Sequence, residues 1–301
     1  PISFKEDHIS QIPALLMLEK LGYTYLTPDE ALALRGGNLA NVLLEPVLRK
    51  QLAAINVVQV SSVRTTVFSE QNITAGIDAL RNIPMDEGFM EASQTVYDLL
   101  TSGKTLEQIV DGDRKSFVMQ YIDWKNPRNN VFHVTEEFAV SRTGMTETYR
   151  PDIVLFVNGI PLCVIECKRP DVKDSIEQAI SQHLRNQKAD GIRSLYLYST
   201  LLLAINRQEG SYATTATPEK FWARWREQFT NREEEVRYRQ ELERVVNEPL
   251  LDDKLFGERF GYVRRNFEEL YRQPVIPSVQ DEYLYNLCRP ERLLQLMYGF
   301  T

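Results

Sequence analysis

Cysteine is scarce in this chain. There are three in 301 residues, and Cys163 and Cys167 fall inside one apparent buried strand, which excludes a disulfide framework and is the usage of a reducing compartment. Histidine is equally sparse. His8, His133 and His183 are scattered without ligand spacing, so packing or surface roles are read for them, and Cys163 and Cys167 read as small core residues rather than a zinc site. No 18-residue apolar span and no charged-then-apolar leader is present, so neither a membrane span nor a secretory signal is supported, and the cytoplasm is the default location. Basic residues are not in excess either: 35 Lys and Arg face 42 Asp and Glu, a formal net charge of −7. This argues against a protein that coats nucleic acid by charge alone. It leaves DNA open as a substrate, because a local basic groove suffices and a bound cation offsets an acidic site. Internal repeats and low-complexity linkers are also missing.

What is present is an ordinary globular composition, 43% hydrophobic and 26% charged, long enough to bury a full core. The opening Pro1 and the apolar run 292–301 read as the edges of a longer chain. Apolar residues at helical spacing (Ile9, Ile12, Leu15, Leu16, Leu18) predict a helix from Glu6 to Leu21, stopped by Gly22. A second helix is predicted from about Ala40 to Ile55, with more helix through 73–80 and 91–100. Between Asn130 and Asn206 the period becomes that of strands: Val131 to Val140, Ile153 to Val157, Leu162 to Ile165, Ser194 to Ser199 and Leu201 to Ile205. A helix over Asp174 to Gln187 interrupts them, with Asp174 and Glu177 spaced as a capping box. Thr217 as N-cap and Pro218 at the first helical position predict a long charged helix to about Asn247, with Phe221, Trp222, Trp225 and Phe229 on its packing face. The fold class is therefore α/β, a mixed sheet flanked by helices, with a helical N-terminal region and a helical C-terminal extension.

Charged groups stand inside the two most apolar runs, Arg150-Pro151-Asp152 followed by Ile153 to Val157, and Leu162 to Ile165 followed by Glu166-Cys167-Lys168. Buried charges are costly unless paired or bound to metal. Glu166 and Lys168 share a strand face by parity. Asp152 joins that face only if the hairpin register is offset by one. A plain two-residue Asn158-Gly159 loop would put Asp152 opposite Ile165. A three-residue loop with Gly159 in the left-handed conformation and a bulge gives the required offset, so this reading expects the bulged turn. With the offset, two carboxylates and an ammonium meet at a sheet rim. Oxygen ligands without histidine or thiolate select Mg²⁺ or Mn²⁺, the Cys167 backbone carbonyl is a natural further ligand, and Lys168 orients a nucleophile or stabilises charge on phosphorus. The reaction class is phosphodiester hydrolysis.

Pro151-Asp152 with Glu166-Cys167-Lys168 resembles the PD-(D/E)xK nuclease motif. In the context of Asn130-Val131-Phe132, the run from Arg150 to Leu162, Ala179 to Gln182, Leu195 to Tyr198 and Thr217 to Trp222, the chain is similar to the N-terminal nuclease domain of the restriction (R) subunit of type I restriction-modification enzymes. The likeness is strong over the middle third and weaker at the flanks. It implies a restriction-endonuclease-like α/β/α core, with Asp152 and Glu166 as metal ligands and Lys168 as catalytic lysine. It also implies a nuclease domain over 1–247 (a helical part to about 125 and a catalytic core over about 126–210), and an extension over 248–301 leading to an ATP-driven motor outside this chain. A glutamine and a tyrosine four apart follow in the family. Gln182 fits and Asn186 holds the tyrosine slot, so Gln178, Gln182 and Asn186 are read as one polar stripe in which a hydrogen-bonding role survives. Glu6, Asp7 and Glu19 are each compatible with a further acid from the first helix, and all three read first as surface charges. Gly103-Lys104-Thr105 is not a phosphate loop, because the position five before Gly103 is Asp98, within a helical pattern.

The plain reading of Asp152, Glu166 and Lys168 is a structural salt-bridge cluster, that of Gln182 a surface amide, and that of Trp222 and Trp225 core packing. Lys104, Arg128, Arg142, Arg150, Lys173 and Arg185 are either phosphate contacts or solvated charge. The resulting expectation is a Mg²⁺-dependent endonuclease acting on double-stranded DNA within a complex with modification and specificity subunits. The alternatives are a non-catalytic docking module of that complex and a stand-alone repair or junction nuclease of the same superfamily.

Overall fold

The computed structural model describes residues 10–250 and 252–299. Two of the three first-helix acids, Glu6 and Asp7, and also His8, lie outside them. The chain begins with α1 (Ile12–Lys20), β1 (Thr24–Leu26), α2 (Pro28–Leu34) and α3 (Glu45–Ile55). The predicted start of the second helix near Ala40 is five residues early. Pro46 removes one backbone donor and its ring would crowd the carbonyl of Val42, so Val42 and Leu43 enter the core from a loop and the helix opens at Glu45. A short pair, β2 (Val58–Gln59) and β3 (Thr65–Thr66), precedes α4 (Glu70–Arg81) and α5 (Phe89–Ser102). Residues 104–119, assigned from the sequence to the helical part, form a hairpin of β4 (Lys104–Val110) and β5 (Asp113–Met119). Its turn is Asp111-Gly112, with both residues at positive φ (54° and 86°), the conformation that Asp-Gly favours.

The core strands follow: β6 (Phe132–Glu136), the short pair β7 (Val140–Ser141) and β8 (Thr148–Tyr149), then β9 (Ile153–Val157) and β10 (Ile160–Cys167). After them come α6 (Ser175–Asn186), α7 (Arg193–Tyr196), β11 (Leu201–Ile205) and β12 (Gly210–Ala213). Six strands make one mixed sheet in the order β1-β6-β9-β10-β11-β12, with β1–β6 and β10–β11 parallel. All residues of β9, β10 and β11 are buried, as continuous apolar runs require of strands covered on both faces. Ile176, Ala179 and Ile180 of α6 pack on Ala204 of β11.

Three local expectations fail, each because a tertiary bond overrides a local signal. Asp174 does not cap α6: it sits in the left-handed region (φ 53°) and its side chain makes no capping bond, while Ser175 is tied by Asn206 at 2.8 Å. Residues 194–199 are not a strand. Alternate tyrosines there send their hydroxyls to different elements, Tyr196 to His183 and Tyr198 to the Leu80 carbonyl, and a helical turn satisfies both. Nor does Thr217-Pro218 open a long helix. A single 3-10 turn (Glu219–Phe221) gives way to extended chain, in which Ala223 exchanges two backbone hydrogen bonds with Tyr212 at the exposed edge of β12. Trp222 and Trp225 still pack against the core from this segment. The helix proper is α8 (Arg232–Asn247), capped by Asn231.

After two short helical turns (Leu255–Arg259 and Gly261–Val263) come the α-helices α9 (Arg264–Leu270), α10 (Val279–Cys288) and α11 (Pro290–Gly299). The segment beyond residue 248 folds back on the sheet. Tyr283 donates to the Gly210 carbonyl at 2.7 Å, Gln280 to the Ser10 carbonyl at 2.8 Å, and Arg259 reaches Glu136. No helix among the described residues is long and apolar enough to cross a membrane.

Candidate active site

The hairpin of β9 and β10 decides where Asp152 points. Its turn is the plain two-residue one, Asn158 (φ 52°) and Gly159 (φ 79°), with Val157 paired to Ile160. The expected three-residue bulged loop is therefore wrong. Asn158 is held in the left-handed conformation by four hydrogen bonds of its buried amide: it accepts from Gln51 and the Val131 amide and donates to the Tyr121 carbonyl and Asn130. Gly159 lies so close to α3 that a Cβ would stand 2.6 Å from the Leu44 carbonyl oxygen. The offset of one residue comes instead from further along the strand. Phe156 pairs with Pro161 and Leu155 with Cys163, leaving Leu162 as an extra residue in a β-bulge beside a proline that has no amide to give the ladder. From there Ile153 pairs with Ile165, and one more step sets Asp152 opposite Glu166.

The pair stands at the rim of the sheet. Asp152 Oδ2 accepts from the Cys167 amide at 2.8 Å, so the carboxylate of one strand is locked to the backbone between Glu166 and Lys168. Glu166 is wholly buried, and neither of its carboxylate oxygens has a hydrogen-bond partner among the described residues. Its pKa is driven well above the ordinary carboxylate value, first by burial and then by the Asp152 charge, with Lys168 and Arg185 pulling the other way. Asp152 and Lys168 are half-exposed, so the centre is open on one side. Among the described residues no group of three or more His, Cys, Asp or Glu side chains forms a ready-made metal cage.

Helix α6 packs against β10 and β11 and brings its own groups. Gln182 is half-exposed, and Gln178, exposed, donates to the Lys173 carbonyl at 3.0 Å. Asn186 departs from the stripe expected of these three residues. It is fully buried, donates to the Tyr196 hydroxyl at 3.2 Å and accepts from Arg185. His183, also buried, has Nε2 at 2.8 Å from the Leu203 carbonyl, which can only accept; Nδ1 therefore accepts the Tyr196 O–H at 2.8 Å. Burial pushes the His183 pKa down to about 4, so the ring is neutral at physiological pH, and the charges of Glu166 and Asp152 act on the Tyr196 phenol. A buried relay, Asn186 to Tyr196 to His183 to Leu203, thus pins α6 and α7 to the floor beneath the carboxylates. Among the basic residues considered for phosphate contact, Arg142 and Arg185 flank Tyr149, their guanidinium carbons 4.6 and 4.1 Å from the ring centroid.

Two positioning residues carried no sequence signal. Ser10 Oγ donates to the Lys168 carbonyl at 2.8 Å, and Gln11 Nε2 donates to the Asp152 carbonyl at 2.8 Å. The start of the first helix therefore braces both strands of the site. Only their burial next to charged strand ends marks them, and burial is not visible in sequence. Glu19 is neither a site acid nor a surface charge. It lies nine residues beyond Ser10, roughly 13 Å along a helix, against Asp252, and burial together with Asp252 raises its pKa to about 9.

A family model described as "Type I restriction enzyme R protein N terminus" matches residues 3–221. The chain belongs to this family. It is 29% identical over 206 residues to the type I restriction enzyme HindI endonuclease subunit of Haemophilus influenzae, covering 66% of this chain and 18% of that protein. It is 27% identical over 228 residues to a Methanocaldococcus jannaschii protein provisionally named the type I restriction enzyme MjaIXP endonuclease subunit, covering 73% of this chain and 20% of the relative. The chain thus spans about a fifth of the length of these relatives and corresponds to the N-terminal region of the endonuclease subunit.

Proposed function

We propose that this chain carries the metal-dependent nuclease centre of a type I restriction endonuclease subunit, hydrolysing phosphodiester bonds in double-stranded DNA. The observation that supports this most is Glu166. A wholly buried carboxylate that accepts from no N–H donor among the described residues, facing a second carboxylate, is costly as a fixed structural element and suited to a cation. Asp152, Glu166 and the Cys167 backbone carbonyl are oxygen donors throughout, the set that fits Mg²⁺ or Mn²⁺. When bound, such an ion supplies Lewis-acid polarisation of a phosphoryl oxygen and acidifies a water. Lys168 holds an ammonium beside Glu166, where it orients the attacking group and offsets negative charge gathering on phosphorus. Gln182, half-exposed on the helix above, hydrogen-bonds the substrate or the water. Arg185, exposed and stacked on Tyr149, holds a backbone phosphate, while Arg142 on the other contact of that ring is paired with Asp190 at 2.9 Å. In this reading the chain works in the cytoplasm with modification and specificity subunits, and ATP enters only through a motor region outside the chain.

The test is made in the complete restriction complex. Asp152→Ala and Lys168→Ala are each expected to lower DNA cleavage by about 10³-fold or more while subunit assembly and ATP-driven translocation persist. Loss of assembly with cleavage per assembled complex unchanged would replace the catalytic reading by a docking one.

A further inference from the structure

A second site lies apart from the carboxylate pair. The loop after α2, the start of α3, the end of α4 and α7 enclose a cavity of about 400 Å³ whose lining includes none of Asp152, Glu166, Lys168 or Gln182. Three arginines and one glutamate are among its lining residues: Arg35, Arg49 and Arg81 with Glu45. Arg35 is the unusual one. It is 3% exposed, its Nη1 donates to the carbonyls of Asn41 (3.1 Å) and Ala139 (2.8 Å), and its guanidinium lies 3.9 Å from the Phe138 ring centroid. No carboxylate pairs with it among the described residues, and its buried Nε has no partner. Burial lowers its pKa to about 10, which leaves it charged at neutral pH. Arg49 (3.4 Å) and Arg81 both share the single carboxylate of Glu45, each adding a long contact at the rim, to Glu70 at 3.4 Å and Asp78 at 3.5 Å.

A buried guanidinium with only carbonyls for partners stays undercompensated, and an anion in the adjoining cavity would balance it. Several guanidiniums around one space match the fork geometry and charge of a phosphate monoester better than those of a single carboxylate. The rest of the wall includes Leu34, Val42, Leu43 and the Tyr198 ring, an apolar surface for the body of such a molecule. The volume sits at the small end of ligand pockets, roughly 300–1,000 Å³. We propose that this cavity binds a small phosphomonoester with a ring-shaped body, of the size of a mononucleotide, whose phosphate draws on the charge of Arg35, Arg49 and Arg81 and competes with Glu45.

Isothermal titration of the protein with AMP, with adenosine and with inorganic phosphate as competitor tests this. AMP is expected to bind one to one and adenosine not at all. Arg35 is buried and its replacement risks the fold, so the variants are taken at the rim. Arg81→Gln is expected to weaken AMP binding at least tenfold. Glu45→Gln, which removes the carboxylate that Arg49 and Arg81 share and leaves each only its contact at the rim, is expected to tighten it several-fold, a gain that loss of a merely structural ion pair would not give. The proposal is overturned if AMP binds neither the wild type nor Glu45→Gln, if Arg81→Gln leaves the affinity unchanged, if adenosine binds as well as AMP, or if only a 5′-phosphorylated oligonucleotide binds.

Discussion

Two glutamates, Glu136 on β6 and Glu166 on β10, are wholly buried in the same sheet with one strand between them. Glu136 is fully served. Tyr25 donates to it at 2.8 Å, and Arg259 clamps it through two bonds of 2.7 and 3.1 Å. Among the described residues Glu166 accepts from no N–H donor; it faces the Asp152 carboxylate, to which it can hydrogen-bond only when one of the two carries a proton. The protein therefore supplies donors to the buried carboxylate of Glu136 and, among the described residues, none to that of Glu166. Glu136 ties the segment after residue 248 to the edge of the sheet. Glu166 has no counterpart of that clamp among the described residues, which is what the proposed cation site would use.

Swapping the chemistry of the two positions should separate the roles. Glu166→Gln is expected to lower cleavage by about 10³-fold or more, with a melting temperature equal to or above that of the wild type, because the substitution removes a carboxylate whose burial beside Asp152 is costly. Glu136→Gln should do the reverse, losing about 2 kcal/mol of stability in urea unfolding with cleavage per folded molecule nearly unchanged. That figure is set below the usual cost of breaking a buried pair because Arg259 is 40% exposed. A smaller loss, about 1–2 kcal/mol, is expected for Tyr196→Phe, which leaves His183 Nδ1 without its donor and Asn186 without its acceptor. A pH effect is expected as well. Glu19 has its pKa raised from 4.5 to about 9 in the folded state, so folding favours its protonated form. Its contribution is complete below pH 4.5, declines as pH rises, and is gone above about 9. Unfolding followed from pH 5 to 9 should show that decline, and Glu19→Gln should flatten it.

The sequence carried the site further than its local structure. Parity along the strand placed Glu166 with Lys168 and required an offset to bring in Asp152; the offset exists, yet its source was read wrongly. Asn158-Gly159 is the two-residue turn its residues favour, because four partners 27 to 107 positions away hold the Asn158 amide. The bulge that corrects the register sits three residues later beside Pro161. Thr217-Pro218 and Ser194 to Ser199 misled for the same reason, since an open sheet edge at Tyr212 and two tyrosine hydroxyls with distant partners outweigh local propensity. Asp111-Gly112 was a readable turn, hidden only by a helical assignment of its surroundings. Ser10, Gln11 and the Asn186–Tyr196–His183 relay were not legible, because each acts through burial and long-range hydrogen bonds rather than through spacing.

The proposed cation site between Asp152 and Glu166 can be tested by anomalous scattering from a crystal soaked in Mn²⁺. One manganese peak held between the two carboxylates, lost in Glu166→Gln, is expected. A fully soaked crystal with no peak there, and Glu166 still without a partner, would contradict it.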